Sequence, residues 1–354
     1  MKNLCLFFAL AISFSCLAQN PISIESVEYD PGQDRWFVSN GNNTMLYTYD
    51  AGDSWGYFGS ASANYGMEVV GNYLYAISDG DIICYDLYSG DVVDTESIIG
   101  TNFLNGMGSH ENTLVVSDFG TGRIIKIDIS DPTNMQSSTL VASTGTTPNG
   151  VVIDADGSRA VVVNWYGNAD ILGIDIETGE VTTLVDGSGL GNCDGIDIDS
   201  EGNYYVSSWS PTRITKFSPD FSSSEIVVNS GLSNPADISY AIETDTLAVA
   251  NSGNNQVTFH SFANTESVSE VIEAVKWVEL KGEELVFHLS EGGNFELQMF
   301  NINGQASGFE ELSLLTGITR VDLNRLSNPF SKSGIISVRK QGEPETQESF
   351  KVFR

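Results

Sequence analysis

Two carboxylates and two carboxamides recur at one kind of place in this chain. Glu25, Asn105, Asn149 and Asp194 each stand immediately ahead of a small residue: Ser26, Gly106, Gly150 and Gly195. Tyr65 precedes Gly66 and Pro235 precedes Ala236 in the same way. Brought to one mouth, these oxygens would suit a hard divalent cation, Ca²⁺ first among them, because such ions take carboxylate and carbonyl ligands. The plainer alternative is that Asn and Asp ahead of Gly serve tight turns.

The spacing says what must position them. From Ser26 to Ala236 the small residues lie 40, 40, 44, 45 and 41 positions apart. Around each is a strand, a turn and a second strand, clearest in Pro148–Asn164 with its Asp156-Gly157 turn. Strand-rich units at a period of roughly 40 predict a β-propeller, here with six blades. The fold class is all-β, a six-bladed propeller followed by a small antiparallel β-sandwich. No stretch of the propeller carries a helical period. In propellers ligands collect where the innermost strands converge on the central channel, and the residue before each small residue is expected there.

Blade one contains Thr48-Tyr49-Asp50-Ala51-Gly52-Asp53-Ser54-Trp55. This resembles the Asp-box hairpin of sialidases and other propellers, in which the Asp ties the turn and the Trp packs beneath it. The propeller's arginines are Arg35, Arg123, Arg159 and Arg213, without the cluster that clamping a sialic acid carboxylate needs. The second strands end on polar residues such as Ser39-Asn40, Ser117-Asp118 and Ser207-Ser208, expected to be structural. Trp165, Tyr166 and Trp209 follow second strands; core packing is their expected role, sugar stacking at the mouth the alternative.

The chain opens with Met1-Lys2-Asn3, the apolar run Leu4–Ile12 and Ser15-Cys16-Leu17-Ala18. This predicts a signal peptide over 1–18 with the cut after Ala18, and a lipoprotein cysteine at Cys16 is the minor alternative. No apolar run is long enough to span a bilayer. Cys84 and Cys193 are expected as two separate buried thiols in non-adjacent blades rather than a disulfide. Residues 19–265 hold 33 acids and 6 bases of the chain's 47 and 16, an excess that repels nucleic acid and anionic membrane surfaces.

After a linker over 266–274 the composition changes, and 275–354 reads as a sandwich of about 80 residues. Gly293-Asn294-Phe295-Glu296-Leu297-Gln298-Met299-Phe300-Asn301-Ile302-Asn303-Gly304-Gln305 is followed by Gly317–Leu326, Gly334–Arg339 and the terminal Phe350-Lys351-Val352-Phe353-Arg354. Their order and position resemble the type IX secretion sorting domains of Bacteroidetes, with Val275-Lys276-Trp277-Val278 in place of the usual Pro-rich start. The resemblance implies export across the outer membrane, with the secretion machinery as partner. A carbohydrate-binding or adhesive sandwich is the alternative.

Within 22–262, Ile24-Glu25-Ser26-Val27, Pro148-Asn149-Gly150-Val151-Val152-Ile153-Asp154 and Cys193-Asp194-Gly195-Ile196-Asp197 resemble the metal-ligand stretches of the senescence-marker-protein/gluconolactonase family, itself close to NHL-type propellers. The resemblance implies a divalent metal held by Glu25, Asn149 and Asp194, with Asn105 facing substrate and Asp194 as catalytic base; Tyr65 joins the substrate side of the mouth. The metal would polarise a lactone carbonyl. The family's Arg-Phe-Asn-Asp-Gly stretch is here Asn102-Phe103-Leu104-Asn105-Gly106, so the arginine is missing. His110, His260 and His288 share no context that would make a zinc site or a triad. Two readings follow: a secreted metal-dependent lactonase-like hydrolase, or a non-catalytic propeller that binds a protein or a glycan at the cell surface.

Overall fold

The computed structural model describes residues 20–41 and 43–262, and in the C-terminal part 278–281, 284–289, 293–301, 306–314, 317–323, 334–341 and 348–352. The expected leader (1–18) and the linker (266–274) lie outside the described residues. The chain divides into two compact units, 1–264 and 265–354. Among the described residues there is no α-helix.

The first unit is a series of antiparallel sheets, each built from consecutive strands. Blade one is β1 (Val27–Asp30), β2 (Arg35–Asn40), β3 (Thr44–Thr48) and β4 (Gly56–Tyr57). Blade two is β5 (Met67–Val70), β6 (Tyr73–Ser78), β7 (Asp81–Asp86) and β8 (Val92–Ser97). Blade three is β9 (Leu104–His110), β10 (Thr113–Asp118), β11 (Arg123–Asp128) and β12 (Gln136–Val141). Blade four is β13 (Pro148–Ile153), β14 (Arg159–Asn164), β15 (Ile171–Asp175) and β16 (Val181–Val185). Blade five is β17 (Gly191–Ile198), β18 (Tyr204–Ser210), β19 (Thr212–Phe217) and β20 (Ser224–Val228). Blade six has three described strands, β21 (Pro235–Ala241), β22 (Thr246–Asn251) and β23 (Gln256–Ser261).

Six apolar clusters hold the ring, each shared by two neighbouring blades. Second strands such as Leu114-Val115-Val116 and Ala160-Val161-Val162-Val163 are buried on both faces, because each sheet is packed between two others. The seam lies between blades six and one. There Ile24, Val27, Trp36 and Trp55 pack with Ala241, Ala248 and Ala250, and Asp237 N donates to Glu25 O at 3.0 Å. Asp50 ties the predicted Asp-box: its Oδ1 accepts from Thr48 Oγ1 (2.6 Å) and Ser54 N (2.9 Å), while Trp55 is buried beneath. Cys84 and Cys193 are free, buried and in different clusters.

The recurrent glycines are not turn residues. Asn105-Gly106, Asn149-Gly150 and Asp194-Gly195 lie inside β9, β13 and β17, where two residues oppose one across the ladder. Such bulges redirect side chains. Glycine is needed because the next blade's backbone passes too close for a side chain. A Cβ on Gly106 would meet Asn149 O at 2.2 Å, and one on Gly150 would meet Asp194 O at 2.4 Å. The polar second-strand ends are indeed structural. Ser117 Oγ accepts from Gly106 N at 2.9 Å and donates to Asn149 O at 2.6 Å. Ser207 makes the same bridge between Gly195 N (2.7 Å) and Ala236 O (2.7 Å).

The second unit has two sheets. One is β24 (Val278–Lys281), β25 (Glu284–Leu289) and β28 (Gly317–Asp322); the other is β27 (Ala306–Leu314), β26 (Gly293–Asn301), β29 (Gly334–Lys340) and β30 (Glu348–Val352). Val278, Leu285 and Phe287 of the first pack on Phe295, Leu297, Met299, Ile336 and Val338 of the second.

Candidate ligand site at the channel mouth

The bulges bring most of the expected residues to the inner strands, and one pair is joined directly. Asn149 Nδ2 donates to Asp194 Oδ1 at 3.0 Å and to Cys193 O at 3.2 Å. Asn149 and Asp194 are buried, at 1% and 4% exposure. With its amide nitrogen committed, Asn149 presents Oδ1 as a buried acceptor without a hydrogen-bond donor. Buried polar atoms are nearly always satisfied, so this one asks for an explanation. Glu25 precedes β1, with its backbone N–H on Ser39 Oγ at 3.0 Å. Asn105 is buried in β9, and its carbonyl accepts from Gly66 N at 2.9 Å. Tyr65 is half-buried and lies within the field of the Glu25 carboxylate.

The mouth is electrostatically loaded. Burial, and then the neighbouring Asp237, raises the Glu25 carboxyl to about 7. Asp194 is held well above the ordinary aspartate range by burial first, then by Glu25 and Asp237; the Asn149 amide and the Trp209 indole oppose this. The Trp209 Nε1–H is buried and acts on that carboxylate without reaching hydrogen-bond geometry. Like charges in a shared enclosure favour protonation or an added cation.

Four further acids went unforeseen. Glu28, Glu68, Asp197 and Asp237 border a cavity of about 230 Å³ farther along the channel. Each staples neighbouring blades. Glu28 accepts from Val69 N and Ser239 Oγ, both at 3.0 Å. Glu68 accepts from Ser109 Oγ at 2.7 Å, Asp197 from Tyr240 N at 2.5 Å and Asp237 from Ser26 Oγ at 2.7 Å. Burial leads the causes that raise all four, with Asp197 near 7 and Asp237 near 6. A signal for three of them was present: Glu28, Glu68 and Asp197 each stand two places after the small residue of their blade. Asp237 escaped because blade six was aligned on Pro235, whereas its bulge is formed by Ala236 and Asp237.

Four of the propeller's six bases are committed elsewhere. Arg35 pairs with Asp30, Arg123 with Asp118, Arg159 with Asp154 and Lys216 with Asp199, at 2.8 to 3.2 Å. Among the described residues, no three His, Cys, Asp or Glu side chains come close enough to ligate one metal. The expected set contains only two acids, its third donor being the Asn149 carboxamide. Two carboxylates and an orphaned amide oxygen are hard donors of the kind Ca²⁺ takes, so the residues fit such an ion chemically.

Trp165 and Trp209 depart from the expected core role. Both are only partly buried, and they belong to an arc that continues through Phe119 and Phe103, which the sequence did not single out, to Tyr65. Ring centroids run from Tyr65 to Phe103 (4.7 Å), Phe119 (5.1 Å), Trp165 (6.2 Å) and Trp209 (4.8 Å), mostly edge to face. Tyr166, equally only partly buried, packs against the cluster between blades four and five.

The fold and mouth define a β-propeller, and known structures agree on the fold. A protein of unknown function from Bacteroides thetaiotaomicron is similar at a TM-score of 0.56 and 11% identity, over 68% of this chain and 70% of that one. The β-propeller domain of Cps50 (Swd1) from Myceliophteria thermophila is similar at a TM-score of 0.50 and 11% identity, over 70% of this chain and 99% of that domain. No protein-family model and no curated protein matches the chain.

Proposed function

We propose that this chain is an exported β-propeller that binds a divalent cation, Ca²⁺ by its donor chemistry, through Glu25, Asn149 and Asp194, and uses that mouth to take a small-molecule or glycan ligand. The observation that carries the proposal is the buried, donor-less Asn149 Oδ1 beside the buried Asp194 carboxylate. A cation would satisfy the orphaned oxygen and relieve the repulsion among Glu25, Asp194 and Asp237. The test is calorimetric titration of the full chain with Ca²⁺, compared with Asn149→Ala and Asp194→Asn. Binding lost in both supports the site, and binding unchanged in both removes it.

A second reading, lactone hydrolysis, rests on the buried Asp194 carboxylate held by the Asn149 amide at 3.0 Å, a carboxylate being able to act as a general base. A bound cation would supply the polarisation of the lactone carbonyl. In this reading Asp194 takes the proton of the attacking water, and Asn149 orients Asp194 through its amide N–H. Absence of turnover across a lactone panel, with cation binding intact, would leave the propeller as a binding module. Export is part of the proposal and rests on the leader and on the C-terminal resemblance. Deleting 271–354 should retain the protein in the periplasm, and normal export of the truncated chain would contradict that assignment.

A further inference from the structure

One joint of the ring differs from the other five. The blades follow one another along the chain, so every neighbouring pair is joined by continuous backbone except blades six and one. Among the described strands no sheet combines the two ends, since blade one is β1–β4 and blade six is β21–β23. That joint is held by side-chain packing and a few hydrogen bonds. Its buried apolar contact on the blade-six side is small, made by Ala241, Ala248 and Ala250. Asp237 N donates to Glu25 O at 3.0 Å, and Ser26 Oγ donates to Asp237 Oδ2 at 2.7 Å. Ser239 Oγ donates to Glu28 Oε2 at 3.0 Å and accepts from Tyr29 N at 3.1 Å.

Glu25 belongs both to this joint and to the mouth. Its backbone N–H donates to Ser39 Oγ at 3.0 Å within blade one, and its carbonyl takes the Asp237 N–H from blade six. Its carboxylate is one of the three donors proposed above for the cation. The other two, Asn149 and Asp194, stand in β13 and β17, on blades four and five. Acids also stand on both sides of the joint, Glu25 and Glu28 on one and Asp237 on the other. A positive charge placed there favours the closed arrangement over the open one. We infer that the cation is the clasp of the ring. Held by Glu25 on one side and by Asn149 and Asp194 on the other, it keeps the leading edge of blade one in place. Its removal loosens the joint between blades six and one ahead of the rest. The inference rests on the cation reading. Such coupling is reciprocal, so whatever loosens the joint also weakens cation binding.

The test is hydrogen exchange of the full chain, read by mass spectrometry in EGTA and in saturating Ca²⁺, beside calorimetric titration of Ca²⁺. Peptides covering 22–30 and 235–241 should exchange about tenfold or more faster in EGTA than in Ca²⁺, whereas peptides covering 113–128 of blade three should change by less than about twofold. Asn149→Ala should abolish the difference. Ser239→Ala loosens the joint without touching a proposed ligand, and it should weaken Ca²⁺ binding about threefold or more. Ser109→Ala breaks the comparable bridge to Glu68, between blades two and three, and should change Ca²⁺ affinity by less than about twofold. Should Ser239→Ala not fold, exchange of the wild-type chain decides. Protection by Ca²⁺ spread evenly over the blades, or equal effects of the two serine variants, overturns the inference. Ca²⁺ binding with the joint unprotected refutes the clasp alone; no Ca²⁺ binding refutes the cation reading and the clasp with it.

Discussion

Lowering the pH from 8 to 5 should make the propeller more stable. The channel acids are better protonated in the folded chain than in the unfolded one: Glu25 moves from 4.5 to about 7, Asp197 from 3.8 to about 7 and Asp237 from 3.8 to about 6. A group whose carboxyl is raised by folding contributes stability that is fully present below its unfolded pKa and is lost as pH rises through its folded pKa. The window is therefore about pH 4 to 7. One pH unit of displacement is worth about 1.4 kcal/mol, so a single such carboxyl contributes roughly 3 kcal/mol. The acids act on one another and titrate as a set, which makes that single contribution a lower working figure. For a domain of this size it corresponds to a rise of about 6–12 °C in melting temperature. The assay is scanning calorimetry of the metal-free chain across pH 8 to 5 in high salt, which screens exposed charges more than enclosed ones. Glu68→Gln supplies the specific control, since it removes a charge and keeps an acceptor for the Ser109 hydroxyl. It should stabilise the protein at pH 8, have little effect at pH 5 and flatten the slope. A melting temperature that is level or falls on acidification, or a Glu68→Gln variant less stable at pH 8, would refute the reasoning. Below about pH 4 the trend should reverse, because turn aspartates such as Asp86 and Asp220 are held below their ordinary range by hydroxyl and backbone N–H donors.

Two further predictions concern the ring itself. Gly150→Ala should cost more than about 3 kcal/mol in chemical denaturation, because its Cβ would meet the blade-five backbone at 2.4 Å, whereas Gly167→Ala, with nothing within 4 Å, should change stability by less than about 0.5 kcal/mol. Arg35→Met should cost about 3–5 kcal/mol by the same measurement, since it strips the partner at 2.8 Å from the fully buried Asp30 and a hydrogen bond to Leu87 O of blade two.

The ring was legible because its cause is periodic. Each inner strand must meet its neighbour closely, and that demand places a small residue about every 40 positions. The local meaning of those residues was not legible. A sequence shows Asn-Gly or Asp-Gly and suggests a turn, as Gly157 with φ of 72° is; only the neighbouring blade reveals why Gly150 has no room for a Cβ. Contacts across blades explain the other omissions. Glu28 touches Val69 and Ser239, which lie 41 and 211 residues away, so nothing near it in the chain marks it as a channel residue. Phe103 and Phe119 lie just outside strands, where alternation gives no information, yet they close the gap between Tyr65 and Trp165. The placement of Asn149 beside Asp194 came from comparing blades with one another; the orphaned amide oxygen emerged only from the packed structure.

The most direct measurement of the central claim is calorimetric titration of Ca²⁺ into the full chain at pH 7.5, repeated on Asn149→Ala. Saturable binding to the wild-type protein and its loss in the variant are expected, with the variant's fold intact by circular dichroism. Binding of equal affinity in both proteins, or no binding to the wild type, would contradict it.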